Sequence, residues 1–229
     1  MYDEVLLSLA EQGQGLEVLR FWETPDPCVI LGRISCLDQD ICIDHVREDN
    51  LGIWRRSSGG GTVLQGPGCL NYALVLSKDG NPALNDLHRS YREIMDRIVK
   101  ALSVLKVNVA FRPLSDLILV DGEKKFSGNA QHRGRKYLLH HGTFLYDFDL
   151  ILMERYLRIP LDMPAYRRKR SHRDFLANLP LGRDALKQAL REAFGVRREE
   201  SSLSATEAQM LRRMKQRRFP VLSCDLPSG

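Results

Sequence analysis

The segment Arg55-Arg56-Ser57-Ser58-Gly59-Gly60-Gly61-Thr62-Val63 places two cations, two hydroxyls and three consecutive glycines between a short apolar strand and a second apolar run. Such a segment packs a core poorly. Consecutive glycines lose much backbone freedom on folding, and they make sense where the chain takes positive φ or passes close to a ligand. Their N–H groups form a concave anion cradle, and the neighbouring guanidiniums hold a carboxylate or phosphate in a bidentate fork. The same residues also suit a glycine-rich hairpin turn beside a solvated arginine pair. No Gly-Lys-Ser/Thr follows, and no Gly-x-Gly-x-x-Gly opens a helix, so the segment is not a standard P-loop.

Around this loop the chain alternates short strands and helices. Asp3 to Ala10 carries Val5, Leu6 and Leu9 at helical spacing, which predicts a first amphipathic helix. Strands are predicted over Leu16 to Trp22, Cys28 to Leu31, Gly52 to Arg55 and Cys69 to Leu76, and Gln39 to Arg47 reads as a short helix. Within Asn85 to Leu105, Leu87, Tyr91, Ile94, Met95, Ile98, Leu102 and Leu105 recur at three and four, which predicts the longest helix. Asp116 to Val120 is an apolar strand, and Asp121-Gly122 signals a two-residue hairpin turn into a return strand over Glu123 to Gln131. A further strand is read over Lys136 to Phe148, and helices over Met153 to Leu157, Arg183 to Phe194 and Ala205 to Met214, with Gly195 as a stop. Hairpin-linked strands with few helical crossovers predict an α+β fold, a mostly antiparallel sheet flanked by helices.

The 229 residues are 43% hydrophobic and 28% charged, the profile of one globular domain that buries a real core. No apolar run approaches membrane-spanning length, and Met1-Tyr2-Asp3-Glu4 lacks a basic region before an apolar one, so a cytoplasmic location is expected. Five cysteines, Cys28, Cys36, Cys42, Cys69 and Cys224, without any Cys-x-x-Cys pair argue against a disulfide framework or zinc site, and most read as small core residues. A net charge of +5, concentrated late in the chain, permits an acidic partner without requiring nucleic acid; neither nucleic acid nor membrane is expected as a partner.

Three further segments carry chemistry. In Lys124-Lys125-Phe126-Ser127-Gly128-Asn129-Ala130, a lysine beside Ser-Gly on a strand can aim its ammonium into a cleft, although a solvated lysine pair fits equally. In His140-His141-Gly142-Thr143 the adjacent histidines point to opposite faces, so at most one meets a site and both cannot hold one metal. Asp116 starts its strand where a carboxylate could share a divalent cation with phosphates, and strand-initiating aspartates are also common without metal. Cys69 lies near the glycine loop without a local His or Asp partner, which favours a buried structural thiol over a nucleophile. The basic run Arg167 to Arg173 reads on general grounds as a solvated, mobile segment.

Together these segments resemble the lipoate-protein ligase family, within the biotin and lipoate protein ligases. The family pattern of Arg-Arg-x-Ser-Gly-Gly-Gly-x-Val, Gly-x-Leu-Asn, a strand aspartate, Lys-x-Ser-Gly-x-Ala and His-His-Gly-Thr is met in order by Arg55 to Val63, Gly68 to Asn71, Asp116, Lys125 to Ala130 and His140 to Thr143. The resemblance implies a class II synthetase-like catalytic domain that joins lipoate (or octanoate) and MgATP into an acyl-adenylate. It implies transfer of the acyl group to a lysine of an acceptor lipoyl domain. By motif matching, Lys125 is the implied catalytic residue, contacting carboxylate and α-phosphate. Arg56, Ser58, Gly59, Gly60, Gly61, Asn71, Ser127, Gly128, His141, Gly142 and Thr143 are implied to line the substrate and adenylate pocket, and Asp116 to position magnesium. The basic run falls where the family has a mobile loop that folds over the adenylate, and an acidic lipoyl domain could dock on it.

Departures accompany the matches. Gln65-Gly66 stands where the family often has His-Asp, and Ser115 where asparagine commonly precedes the aspartate. The chain is expected to form one catalytic domain over 1–229, lacking the C-terminal accessory domain of larger ligases, which raises the expectation of a separate small partner protein. Two alternatives share the fold: an ATP-independent octanoyl or lipoyl transferase, whose cysteine has no counterpart in Phe111 to Ser115, and a non-catalytic lipoate-binding protein. A biotin ligase is less expected, since no amino-terminal DNA-binding helix pair is visible.

Overall fold

The computed structural model describes residues 2–14, 17–199, 202 and 204–217. In chain order, α1 (Tyr2–Glu11), β1 (Val18–Trp22) and β2 (Cys28–Leu31) lead to the short helices α2 (Leu37–Asp40) and α3 (Ile43–Glu48). The strands β3 (Gly52–Arg55), β4 (Val63–Gln65) and β5 (Cys69–Ser77) precede the long helix α4 (Leu87–Val104). Four strands follow, β6 (Val109–Arg112), β7 (Asp116–Leu119), β8 (Lys124–Arg133) and β9 (Tyr137–Leu145). Helices α5 (Ile151–Tyr156), α6 (His172–Phe175), α7 (Arg183–Ala193) and α8 (Ala205–Arg217) close the described chain. Among the described residues no helix is long and apolar enough to cross a membrane.

Among the described residues the main sheet has six strands in the order β1-β5-β9-β8-β7-β6, every neighbour antiparallel. A smaller sheet runs β3-β2-β4, in which β2 and β3 are parallel. β5 is apolar along most of its length because both of its faces are covered. On one face, Leu70, Tyr72 and Leu74 meet Ile94, Met95, Ile98 and Leu102 of α4 and Leu186 and Leu190 of α7. On the other, Ala73, Val75 and Leu139 meet Leu6, Leu7 and Ala10 of α1. A second core joins the smaller sheet (Val29, Leu31, Leu64) to Met153 and Tyr156 of α5 and Phe175 of α6.

α4 starts where the Asp86 carboxylate accepts the Arg89 N–H at 2.8 Å, satisfying an end donor that has no partner within the helix. Gly195, at φ 62°, follows α7 as the sequence predicts, and Val196 N–H returns to Arg191 O.

Several expectations need correction. The helix predicted over Gln39 to Arg47 is two helices, because Ile41 is fully buried and forms a bridge to Leu157 that interrupts helical bonding. The turn after β7 is not a two-residue hairpin: Leu119 pairs with Lys124, leaving the four residues 120–123, with positive φ at Gly122 and Glu123. β6, which pairs with β7 at the sheet edge, is only four residues long, too short for its alternation to stand out in the sequence. Cys28 and Cys69 are buried as expected, but Cys42 is half-buried and Cys36 exposed; Cys224 lies outside the described residues.

Candidate functional site

On the α1 face of the sheet, the residues below α1 are Ala73, Val75 and Leu139. Farther along, alternation places His141, beside the first turn of the helix, and Asn71 and Thr143 on that same face. Their strands floor a cavity of about 510 Å³, walled by the glycine loop, β4, β7, β8 and the segment around α6. Leu64, Leu145, Met153, Leu157, Phe175 and Leu176 make one part of its lining apolar, while Arg56, Asp116 and Lys125 make another part charged.

Lys125 reaches the cavity because β8 bulges. Asp116 pairs with Gly128 and Leu117 with Ser127, but Ile118 pairs with Lys125, so Phe126 is the extra residue. In an unbroken strand Lys125 would share the face of Ser127; the bulge turns it to the face of Gly128 and Asp116. Its ammonium lies 2.8 Å from Asp116 Oδ1. A Cβ at Gly128 would come within 3.0 Å of that ammonium, so the missing side chain leaves the lysine its path. Ser127 lines the cavity by backbone, and its hydroxyl accepts from Asn129 Nδ2 at 3.0 Å on the other side.

Arg56 is held by neutral oxygens. Its Nε donates to Ser58 Oγ, Nη1 to Ile30 O, and Nη2 to both Gly59 O and Gly61 O. Among the described residues no carboxylate forms an ion pair with it, and burial lowers its pKa to about 10. A guanidinium so placed raises the affinity of the cavity for an anion. Arg55 points elsewhere, tying Gly32 O and Ser35 O. Gly60 and Gly61 line the cavity, with Gly60 at φ 83°. Ser58 and Gly59, expected on the wall, lie behind it: Ser58 is 1% exposed and bonds Arg56 and His141, while Gly59 supplies a carbonyl to Arg56.

The two histidines diverge as strand alternation requires. His141 faces the cavity side, with Nε2 2.6 Å from Ser58 Oγ. His140 is fully buried on the core side, where Tyr72 and Gln131 bond its two nitrogens and burial pushes its pKa down to about 3. Next along the strand, Gly142 leaves space that a side chain would take from Asn129 and Tyr72. Asn71 is buried in the floor; its Nδ2 donates to Trp22 O and Cys69 O, and its Oδ1 has no hydrogen-bond partner among the described residues. Burial pushes the Cys69 thiol up to about 12, which suits a structural thiol rather than a nucleophile.

The basic run is solvated only in part: Arg168, Lys169 and Arg173 are exposed, whereas Arg167 and Arg170 are folded in. Arg167 is 4% exposed, lies 4.7 Å over the Phe175 ring and donates to Arg170 O. Arg170 in turn bonds Gly122 O, Glu123 O and Tyr166 O, locking the run onto the β7–β8 turn. Just before it, Tyr166 donates to Asp116 Oδ2 at 2.6 Å, a contact no local pattern announces. Both Asp116 oxygens are therefore engaged, one by Lys125 and one by Tyr166. No cluster of three His, Cys, Asp or Glu side chains able to hold a metal occurs among the described residues.

The family described as the lipoyl protein ligase A/B catalytic domain matches residues 1–195. The chain belongs to this family. "Probable lipoate-protein ligase A" of Mycoplasma pneumoniae is 30% identical over 157 residues, which cover 69% of this chain and 44% of that protein. The chain thus spans less than half the length of that relative. Octanoyltransferases are among the further relatives. Among solved structures, the bi-partite lipoate protein ligase of Thermoplasma acidophilum, described with its E2 lipoyl domain, superposes with a TM-score of 0.76 at 22% identity, covering 94% of this chain and 87% of that one. A lipoate-protein ligase A bound with ATP gives 0.78 at 24% identity, with the same coverage. The biotin/lipoate ligase fold predicted from the motifs is therefore present. Of the two departures from the family pattern, Gln65 lines the cavity, and Ser115, also on the wall, gives its carbonyl to Asn129.

Proposed function

We propose that the chain, acting as one catalytic domain, is a cytoplasmic lipoate-protein ligase that activates lipoate or octanoate with MgATP and passes the acyl group to a lysine of a lipoyl domain. The observation that carries this reading is the coexistence, in one cavity, of an apolar lining and a half-buried guanidinium with no carboxylate partner among the described residues. A medium-chain acid fits that combination, with its alkyl chain on the apolar wall and its carboxylate near Arg56 and Lys125. In the first step a carboxylate oxygen attacks the α-phosphorus and pyrophosphate leaves. In the second the acceptor amine attacks the acyl carbon, AMP leaves, and the amine gives up a proton. Lys125 stabilises charge gathering on the α-phosphate oxygens, an effect that is strong in a site shielded from water.

Asp116 fits a magnesium ion held largely by phosphates and water, since one carboxylate suffices for such a site. Each of its oxygens keeps acceptor capacity beyond the bonds from Lys125 and Tyr166. The loop N–H groups of Gly60 and Gly61 cradle the phosphate, and the backbone of Ser127, Gly128, Gly142 and Thr143, with Asn71 and His141, shapes the remaining wall. Ser58 and Gly59 serve from behind by fixing Arg56. A second polypeptide completes the enzyme in this reading, as in the bi-partite Thermoplasma acidophilum ligase. The transferase relatives favour one competing reading, acyl transfer without ATP, and Ser115 rather than cysteine before β7 weighs against it.

The test supplies a purified lipoyl domain with octanoate and MgATP, with synthetic octanoyl-adenylate, or with an octanoyl thioester, and reads the acceptor mass. Acyl gain from the adenylate supports the ligase. Gain from the thioester alone overturns it.

A further inference from the structure

The first turn of α1 buries two adjacent carboxylates that the helix does not need for packing. Asp3 is 6% exposed and Glu4 9%, whereas the apolar face of the helix is made by Leu6, Leu7 and Ala10. Burying carboxylates is unfavourable unless partners compensate. The partners of this pair lead to the cavity.

Asp3 uses its two oxygens separately. Oδ1 accepts from Arg20 Nη1 at 2.8 Å, and the Arg20 guanidinium lies 4.3 Å over the ring of Trp22, a cavity wall residue. Oδ2 lies 3.6 Å from His141 Nδ1. Burial raises the Asp3 pKa, but His141 and Arg20 outweigh it and hold the carboxyl below its ordinary value. His141 Nε2 lies 2.6 Å from Ser58 Oγ, and that oxygen already accepts from Arg56 Nε at 3.0 Å. Buried Ser58 has no other acceptor for its hydroxyl proton among the described residues, so the proton goes to His141 Nε2 as the bare nitrogen, leaving the ring proton on Nδ1 toward Asp3. Beside this chain, Glu4 Oε1 accepts the Ser57 N–H at 3.1 Å. One helical turn thus grips the glycine loop at two consecutive residues.

We infer that Asp3, assisted by Glu4, is a positioning residue for the anion-binding wall: it fixes the His141 tautomer and, through Ser58, the aim of the Arg56 guanidinium. The order Asp3, His141, Ser58 is that of a hydrolytic triad, but Ser58 is 1% exposed and lies behind the wall, so the chain orients rather than attacks. The inference rests on the proposed ligase reading only for its kinetic test.

The first measurement is NMR of the labelled ring nitrogens of His141 in the wild-type protein. An Nδ1–H tautomer with bare Nε2 is expected, and an Nε2–H tautomer overturns the inference whatever the substrate. The second compares Asp3→Asn with Leu6→Ala, which loosens α1 without touching the relay. In octanoate-dependent ATP–pyrophosphate exchange, Asp3→Asn removes the carboxylate charge that faces His141 and is expected to raise the half-saturating octanoate about tenfold, with the limiting rate falling less than about threefold. Equal half-saturation in Asp3→Asn and wild type, or an equal rise in Leu6→Ala, overturns it. Absence of exchange in the wild type counts against the ligase reading instead, and the tautomer then decides the inference alone.

Discussion

Moving the protein from pH 8 to pH 5 is predicted to cost about 2 kcal/mol of stability through His140 alone. The ring is fully buried on β9 and its two nitrogens are satisfied only when it is neutral. Tyr72 spends its one proton on Asn129 Oδ1 at 2.6 Å, so His140 Nε2–H donates to the Tyr72 oxygen. Gln131 Nε2 donates to Nδ1, and Gln131 cannot turn over, because its Oε1 already accepts from Ser90 and Arg133. A second ring proton would meet an N–H. Burial first, and the neighbouring His141 second, lower the His140 pKa to about 3, against roughly 6.5 in an unfolded chain. Between those values the unfolded state binds the extra proton, so stability is full above about 6.5 and falls by roughly 1.4 kcal/mol for each pH unit below it. His172, whose pKa burial also lowers, acts in the same direction. Urea midpoints at the two pH values, converted with a common slope, measure the loss. His140→Gln, which supplies an amide donor and acceptor to the same neighbours, should remove about 2 kcal/mol of the pH dependence. If wild type and variant lose equal stability on acidification, the buried neutral ring is the wrong explanation.

Three substitutions probe other parts of the site. Lys125→Ala should reduce acid-dependent pyrophosphate exchange by about a hundredfold or more, the cost of one lost transition-state contact, with the protein still folded because Tyr166 remains bonded to the buried Asp116 carboxylate. Gly142→Ala would push a methyl into Asn129 and Tyr72, and overpacking of this kind is expected to cost about 1–3 kcal/mol, read as a fall in Tm. Gly32→Ala would drive a methyl into Gly60 O and displace the glycine loop; half-saturating acid should rise several-fold, by roughly 1 kcal/mol of binding, in exchange titrations.

Much of this site was legible in the sequence because local chemistry announces it. Three glycines beside arginines, and a His pair whose faces must differ, fix what the backbone can do wherever it folds. Lys125 was legible as a residue but its direction was not, since the bulge at Phe126 depends on how β8 pairs with β7. Arg167 and Arg170 read as solvated because their partners, the Phe175 ring and the β7–β8 carbonyls, come together only by folding. Tyr166 on Asp116, and Asp3 facing His141, join residues 50 and 138 positions apart, and no periodicity encodes such meetings. The split of the Gln39 to Arg47 helix has the same origin, a bridge from Ile41 to Leu157.

The measurement that bears most directly on the account is ATP–pyrophosphate exchange by the purified chain with magnesium and lipoate, with octanoate and biotin alongside. Exchange that depends on lipoate or octanoate and is absent with biotin is the predicted result. Exchange with neither lipoate nor octanoate, or with biotin alone, would contradict the assignment of the cavity to acyl-adenylate formation.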